Sequence, residues 1–156
     1  MGATRILTFS GEKLRQARKA KEWTQGRLAA AVGKKVASVI AWELGRRVPE
    51  PKTFKSLADA LGIEPGDLLD LPAAEWGLAE LRITRGLQQQ QVAARIGMTP
   101  ERYSYVESTY EYPSDEQITR LATLYGSTHA DIDQAWQNAR GRLTSPPSAS
   151  PDDTED

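Results

Sequence analysis

The chain states one pattern twice, 64 positions apart. Leu14, Arg18, Gln25, Ala29, Gly33, Glu43, Pro49, Leu57, Ala58, Gly62 and Asp67 recur as Leu78, Arg82, Gln89, Ala93, Gly97, Glu107, Pro113, Leu121, Ala122, Gly126 and Asp131, with no gap between the copies. Apolar character persists where identity does not: Trp23 corresponds to Leu87, Leu28 to Val92, Val32 to Ile96, Val39 to Tyr103 and Trp42 to Val106. The fold must therefore consist of two copies of one small unit and not of one larger domain. A unit of roughly 60 residues buries only about 60% of its unfolded surface, so the halves are expected to lean on each other or on a second chain.

Helical spacing fills both copies, with no convincing sheet. Ser10 is placed to cap a helix running to about Lys21, and Thr24 to cap a second with Leu28, Ala29 and Val32 on one face and Gly33 as its stop. A third is expected from about Val36 to Leu44, with Val39 and Trp42 inward and Gly45 behind it. Pro51 opens a fourth, whose stripe is Phe54, Leu57, Ala58 and Leu61, and Pro65 opens a short fifth through Leu69. In the second copy helices are expected over about 76–85, 88–96, 100–109, 115–124 and 129–140, with Thr99, Ser114 and Thr128 at N-cap places. Ile6 to Phe9 suits a strand or an ordered arm. These boundaries give a first domain at 1–71, a second at 75–142 and a tail at 143–156. The tail lacks apolar content and is expected to be disordered, as a solubilising segment or as a phosphorylated or partner-binding one.

The stretches Leu14 to Arg18, Trp23-Thr-Gln-Gly-Arg-Leu-Ala-Ala-Ala-Val-Gly and Ser38-Val-Ile-Ala-Trp-Glu-Leu-Gly-Arg-Arg-Val-Pro resemble the phage-repressor/Cro-like (XRE) helix-turn-helix family. The resemblance continues through Thr53 to Gly62 and covers residues 12–70; the second copy matches more loosely over 76–136, most closely at Gly86 to Gly97. It implies an all-α fold of two tandem five-helix lambda-repressor-like domains. It also implies that the third helix lies in a major groove while the start of the second approaches the DNA backbone.

Carried over position by position, the resemblance assigns phosphate contact to Gln25 beside the cap Thr24, with an ordinary first-turn role as the alternative. Lys34, Lys35, Val36, Ala37, Ser38 and Ala41 become the reading positions, and Arg46 and Arg47 backbone contacts. Val36, Ala37 and Ala41 stand where the family usually carries Gln, Arg or Asn. Apolar groups can touch thymine methyls but supply few donors or acceptors, so an A/T-leaning site bound largely through phosphates and DNA shape is expected. Arg18 with Glu43, and Arg82 with Glu107, are read as structural ion pairs. Arg5 on the arm could reach a minor groove, and Lys52 and Lys55 either extend the basic surface or are simply solvated.

The formal net charge of -1 hides an asymmetry. Residues 1–70 carry 13 Lys/Arg against 8 Asp/Glu, and residues 71–156 carry 7 against 13. A basic half attracts a polyanion and an acidic half repels one. In the second copy the reading positions become Thr99, Pro100, Glu101, Arg102 and Tyr105, and Tyr110, Glu111 and Tyr112 replace Arg46, Arg47 and Val48. Two readings of this half stand: direct DNA contact through Gln89, or a fold kept for protein contact through Tyr105, Tyr110 and Tyr112.

His129 is the only histidine and there is no cysteine, so neither a His-based triad nor a thiolate metal site can be assembled. Gly-rich phosphate loops and HExxH are missing too. No enzyme activity, cofactor or metal is expected. The absence of cysteine and of an apolar leader points to a cytoplasmic, nucleoid-associated protein with no membrane contact. The functional expectation is a sequence-specific DNA-binding transcription regulator, a repressor, acting as a homodimer on a palindromic double-stranded operator. The alternative is an antitoxin-type interaction module whose acidic second domain binds a partner protein, with autoregulatory DNA binding. A single-chain pseudo-dimer and an activator touching RNA polymerase are further variants.

Overall fold

Helix starts follow the backbone groups that would otherwise lack partners. Ser10, Thr24, Thr99 and Ser114 each accept a hydrogen bond from the backbone N–H three residues on, satisfying a first-turn donor that the helix itself cannot pair. Thr128 does the same for Asp131, whose carboxylate accepts in return from the Thr128 backbone and is held below its ordinary pKa by these bonds.

The structure, a computed structural model, describes residues 8–144. It holds nine α-helices there: α1 (Gly11–Ala20), α2 (Gln25–Ala31), α3 (Val36–Glu43), α4 (Pro51–Leu61), α5 (Leu78–Ile83), α6 (Gln89–Ile96), α7 (Pro100–Glu107), α8 (Asp115–Tyr125) and α9 (His129–Thr144). Two 3-10 turns, Pro65–Leu68 and Ala73–Glu75, lie between α4 and α5. Arg5, most of the Ile6 to Phe9 stretch and the tail beyond Thr144 lie outside the described residues.

Three boundaries depart from the sequence reading. The fifth helix of the first unit is a single 3-10 turn, because Leu69 turns extended at its end and bridges antiparallel to Phe9. The last helix, expected to end near residue 140, runs to Thr144. And α5 begins at Leu78 rather than near 76. Its counterpart α1 starts with buried Gly11, where an added Cβ would lie 2.3 Å from the Trp42 carbonyl oxygen. The position 64 residues on is Glu75, whose side chain could not enter such an approach, so the first turn is replaced by linker.

Each unit closes on its own core. Leu14, Leu28, Val39, Trp42, Phe54 and Leu57 anchor the first, and Leu78, Val92, Tyr103, Val106, Ile118 and Leu121 the second. Burying each such side chain contributes about 1.5–3 kcal/mol against its exposure. The backbone repeats as well, including two left-handed turns. Glu22 (φ 59) answers to Gly86 (φ 73), and Gly45 (φ 73) to Thr109 (φ 66). Each copy thus forces one side-chain-bearing residue into a region that favours glycine.

The two units share apolar packing. Ile83, from α5 of the second unit, is buried in the first core, and Trp76 and Ala79 pack on the same cluster. The corresponding residues of α1 are Lys19 and Arg15, both exposed to solvent. The second copy has therefore turned the outer face of its first helix apolar and laid it against the first unit. α9 braces this join. Asn138 donates to the Ala74 and Trp76 carbonyls, and Arg142 donates to the Glu75 carbonyl and to Glu80, which is buried.

Candidate nucleic-acid interface

In the first unit Gly33 turns the chain left-handed after α2 and places Lys34 and Lys35 before α3. No side chain caps α3: Lys35 occupies the N-cap position without bonding the first turn. Its backbone N–H groups stay open beside two lysines, a setting suited to an anion. Lys34, Lys35, Val36 and Ala37 are exposed, Ser38 and Ala41 half-buried, and Arg46 and Arg47 exposed beyond the helix. Among the described residues none of these four cations makes an ion pair, whereas Lys13, Arg15, Arg18 and Lys55 do. Lys55 is thus taken up by Asp59, while Lys52 is exposed and makes no ion pair there. Lys21 and Arg27 sit over the Trp23 ring, each 4.8 Å from its centroid, and add charge beside the start of α2.

Behind this surface Arg18 and Glu43 form a two-pronged pair, Nε to Oε2 and Nη2 to Oε1, both at 2.8 Å. Arg18 also donates to the Trp23 carbonyl. Hydrogen bonding to Glu43 raises the guanidinium pKa further, so the arginine is spent on joining α1 to the end of α3. Gln25 donates to the Glu43 carboxylate at 3.4 Å. The pair thereby also holds the side chain at the opening of α2.

The second unit repeats the frame. Arg82 and Glu107 pair through bonds of 2.9 and 2.7 Å, and Arg82 donates to the Leu87 carbonyl. This pair is more buried than the first. Burial opposes the Arg82 charge, and the hydrogen bonds to Glu107 outweigh it, leaving the pKa raised. Next to the pair, Val39 and Leu61 of the first core are replaced by Tyr103 and Tyr125, whose buried hydroxyls make no well-formed hydrogen bond. Burial pushes the Tyr103 hydroxyl well above its ordinary pKa.

The outer face is rebuilt. Thr99 caps α7, closing the N-terminus that α3 leaves open. Arg102, the one cation at the reading positions, pairs with Glu111, while Glu101 is exposed. Gln89 is half-buried but makes no bond to Glu107. Tyr105 and Tyr110 stack edge to face and stay exposed. Tyr112 instead packs on Trp136, and its hydroxyl donates to Asp133, so it belongs partly to the α9 join. His129 is exposed at the start of α9.

Bulk charge overstated the contrast between the halves. Asp152, Asp153, Glu155 and Asp156 lie in the tail, outside the described residues, so the folded second unit is only slightly acidic. The difference at the two faces is one of pairing: cations stand unpaired around α3 and are neutralised on α7.

Sequence reading missed two features. Ile83 and Ala79 as the join were signalled by apolar residues opposite Lys19 and Arg15 in the repeat. A second stripe on α3, Ile40 and Leu44, was signalled by its spacing of four. Among the described residues no group of His, Asp or Glu is arranged to hold a metal, and no helix is long and apolar enough to cross a membrane.

Two family models match the chain. One, described as helix-turn-helix, covers residues 14–68, and the other, described as a helix-turn-helix domain, covers residues 76–135. No curated protein and no solved structure matches it.

Proposed function

The chain belongs to the helix-turn-helix family in both of its halves, and on that premise we propose that it is a sequence-specific transcription regulator, a repressor, that uses only its first unit to hold DNA. The observation that carries this reading is the open, unpaired cationic surface around α3: Lys34, Lys35, Arg46 and Arg47 have no acidic partner, and the α3 N-terminus has no cap. Counter-ion release at these side chains supplies affinity, and Val36, Ala37 and Ala41 supply apolar contact to thymine methyls. The second unit stays off DNA and serves protein contacts, joining two chains across a palindromic operator with half-sites about 34 Å apart. The same exposed aromatic face also favours a second reading, a contact with a different partner protein in the manner of an antitoxin.

The test is a salt-dependent mobility shift of the intact chain on a pool of random genomic fragments. Lys35→Ala and Arg46→Ala should each weaken binding across sequences and lower the salt slope by about 1. No shift by the intact chain at low salt would remove DNA binding from the account.

A further inference from the structure

Apart from Leu143, the large apolar side chains exposed among the described residues fall in two patches, one per unit. In the first, Val36, Ile40, Leu44 and Val48 follow one another at a spacing of four along α3 and past its end, and Leu44 is 60% exposed. In the second, Tyr105 and Tyr110 stand out from α7 and its exit, Tyr110 at 82%. Leu44 and Val48 lie beyond the reading positions, at the opposite end of α3 from Lys35, where thymine methyls cannot cover them. We propose that the two patches are the halves of one junction: Ile40, Leu44 and Val48 of one chain dock on the Tyr105–Tyr110 face of a second copy, and the reverse contact closes a two-fold pair. This rests on the reading that the second unit serves protein contacts, and it names the partner surface.

Charge selects this pairing over the alternatives. The α3 patch is rimmed by Arg46 and Arg47, so docking it on its own copy would bring like charges together. The tyrosine face offers no free cation, because Arg102 is held by Glu111, and it presents Glu101 unpaired. The two faces of one chain do not meet, since both are exposed in the same structure. A head-to-tail contact repeated twice about a two-fold axis closes without forming a filament.

The backbone behind Tyr110 supports a role for that face. Thr109 holds φ 66 although it is β-branched, and its buried hydroxyl has no hydrogen-bond partner. A residue so strained persists where the surrounding structure requires its position, a condition that concentrates at working surfaces.

The chain contains no cysteine, so Leu44→Cys and Tyr110→Cys each introduce a single exposed thiol. Sedimentation equilibrium of the unaltered chain should give twice the chain mass, and Leu44→Glu should weaken the dimer about tenfold or more, as loss of an interface anchor does. Leu143→Glu, an exposed change elsewhere, should leave it intact. Mild oxidation of an equimolar mixture of the two cysteine variants should give mainly the mixed covalent pair, and either variant alone little. A chain monomeric at every concentration, or cross-links mainly between like variants, would overturn the junction. A monomer that still shifts DNA would overturn it while leaving the DNA reading intact.

Discussion

The two units share a skeleton and differ in what they leave unsatisfied. In the first, strain and apolar area are low inside, and unpaired charge and an uncapped helix face outward. In the second, the outer helix start is capped and its cation paired, while the unsatisfied groups have moved inward: the hydroxyls of Tyr103, Thr109, Tyr125 and Ser127 are buried without partners. A duplicated fold can thus keep its Arg–Glu tie and its turns while its polar surplus moves from surface to core. A face with unpaired cations is equipped for a polyanion, whereas one whose charges are already paired has lost that use.

The sharpest break of this comparison is removal of one partner of each tie. Arg82→Met should cost about 3–5 kcal/mol, because Glu107 is left charged and buried. Arg18→Met should cost less, its pair being more open to solvent. Denaturant titration of both variants checks the order, and equal losses would contradict the difference in burial. Next in size, Ile83→Lys restores at the join the residue type of its counterpart Lys19. It should cost about 3 kcal/mol through lost packing and an unpaired buried amine. It should also split one unfolding transition into two, visible as separate steps in calorimetry.

Much of this was legible from the repeat. Caps at Ser10, Thr24, Thr99 and Ser114, the core stripes and the places of the helices follow from local chemistry that a sequence displays directly. The shortened start of α5 was not, because it depends on a close backbone approach that Gly11 permits and Glu75 does not. The join through Ile83 was only half legible: the apolar exchange is visible in the alignment of the copies, but what it packs against is a tertiary fact. The neutralisation of Arg102 by Glu111 was likewise hidden, since charge counts do not say which charges meet.

Two smaller effects sharpen the comparison inside the second unit. Thr109→Gly should stabilise by about 1 kcal/mol, relieving the left-handed strain and removing a buried unpaired hydroxyl, whereas Gly45→Thr should destabilise the first unit. Thermal melts of both variants give the sign. Burial raises the Tyr103 pKa, so the folded chain keeps that proton to higher pH than the unfolded chain, which ionises near 10. Stability is therefore full below about pH 10 and falls as pH rises above it. Tyr103→Phe should flatten this alkaline decline at little cost near neutral pH, as pH-resolved denaturation would show. The first 70 residues contain no tyrosine, so the decline belongs to the second unit.

The division of labour itself is tested most directly at the two glutamines that the repeat places 64 residues apart. Gln25→Ala and Gln89→Ala change the same position of the same helix in each unit, and neither removes a core contact. In parallel titrations of one DNA fragment at fixed salt, Gln25→Ala should weaken binding several-fold and Gln89→Ala should leave it unchanged. Equal losses from the two substitutions would mean that both units hold DNA, contradicting the account.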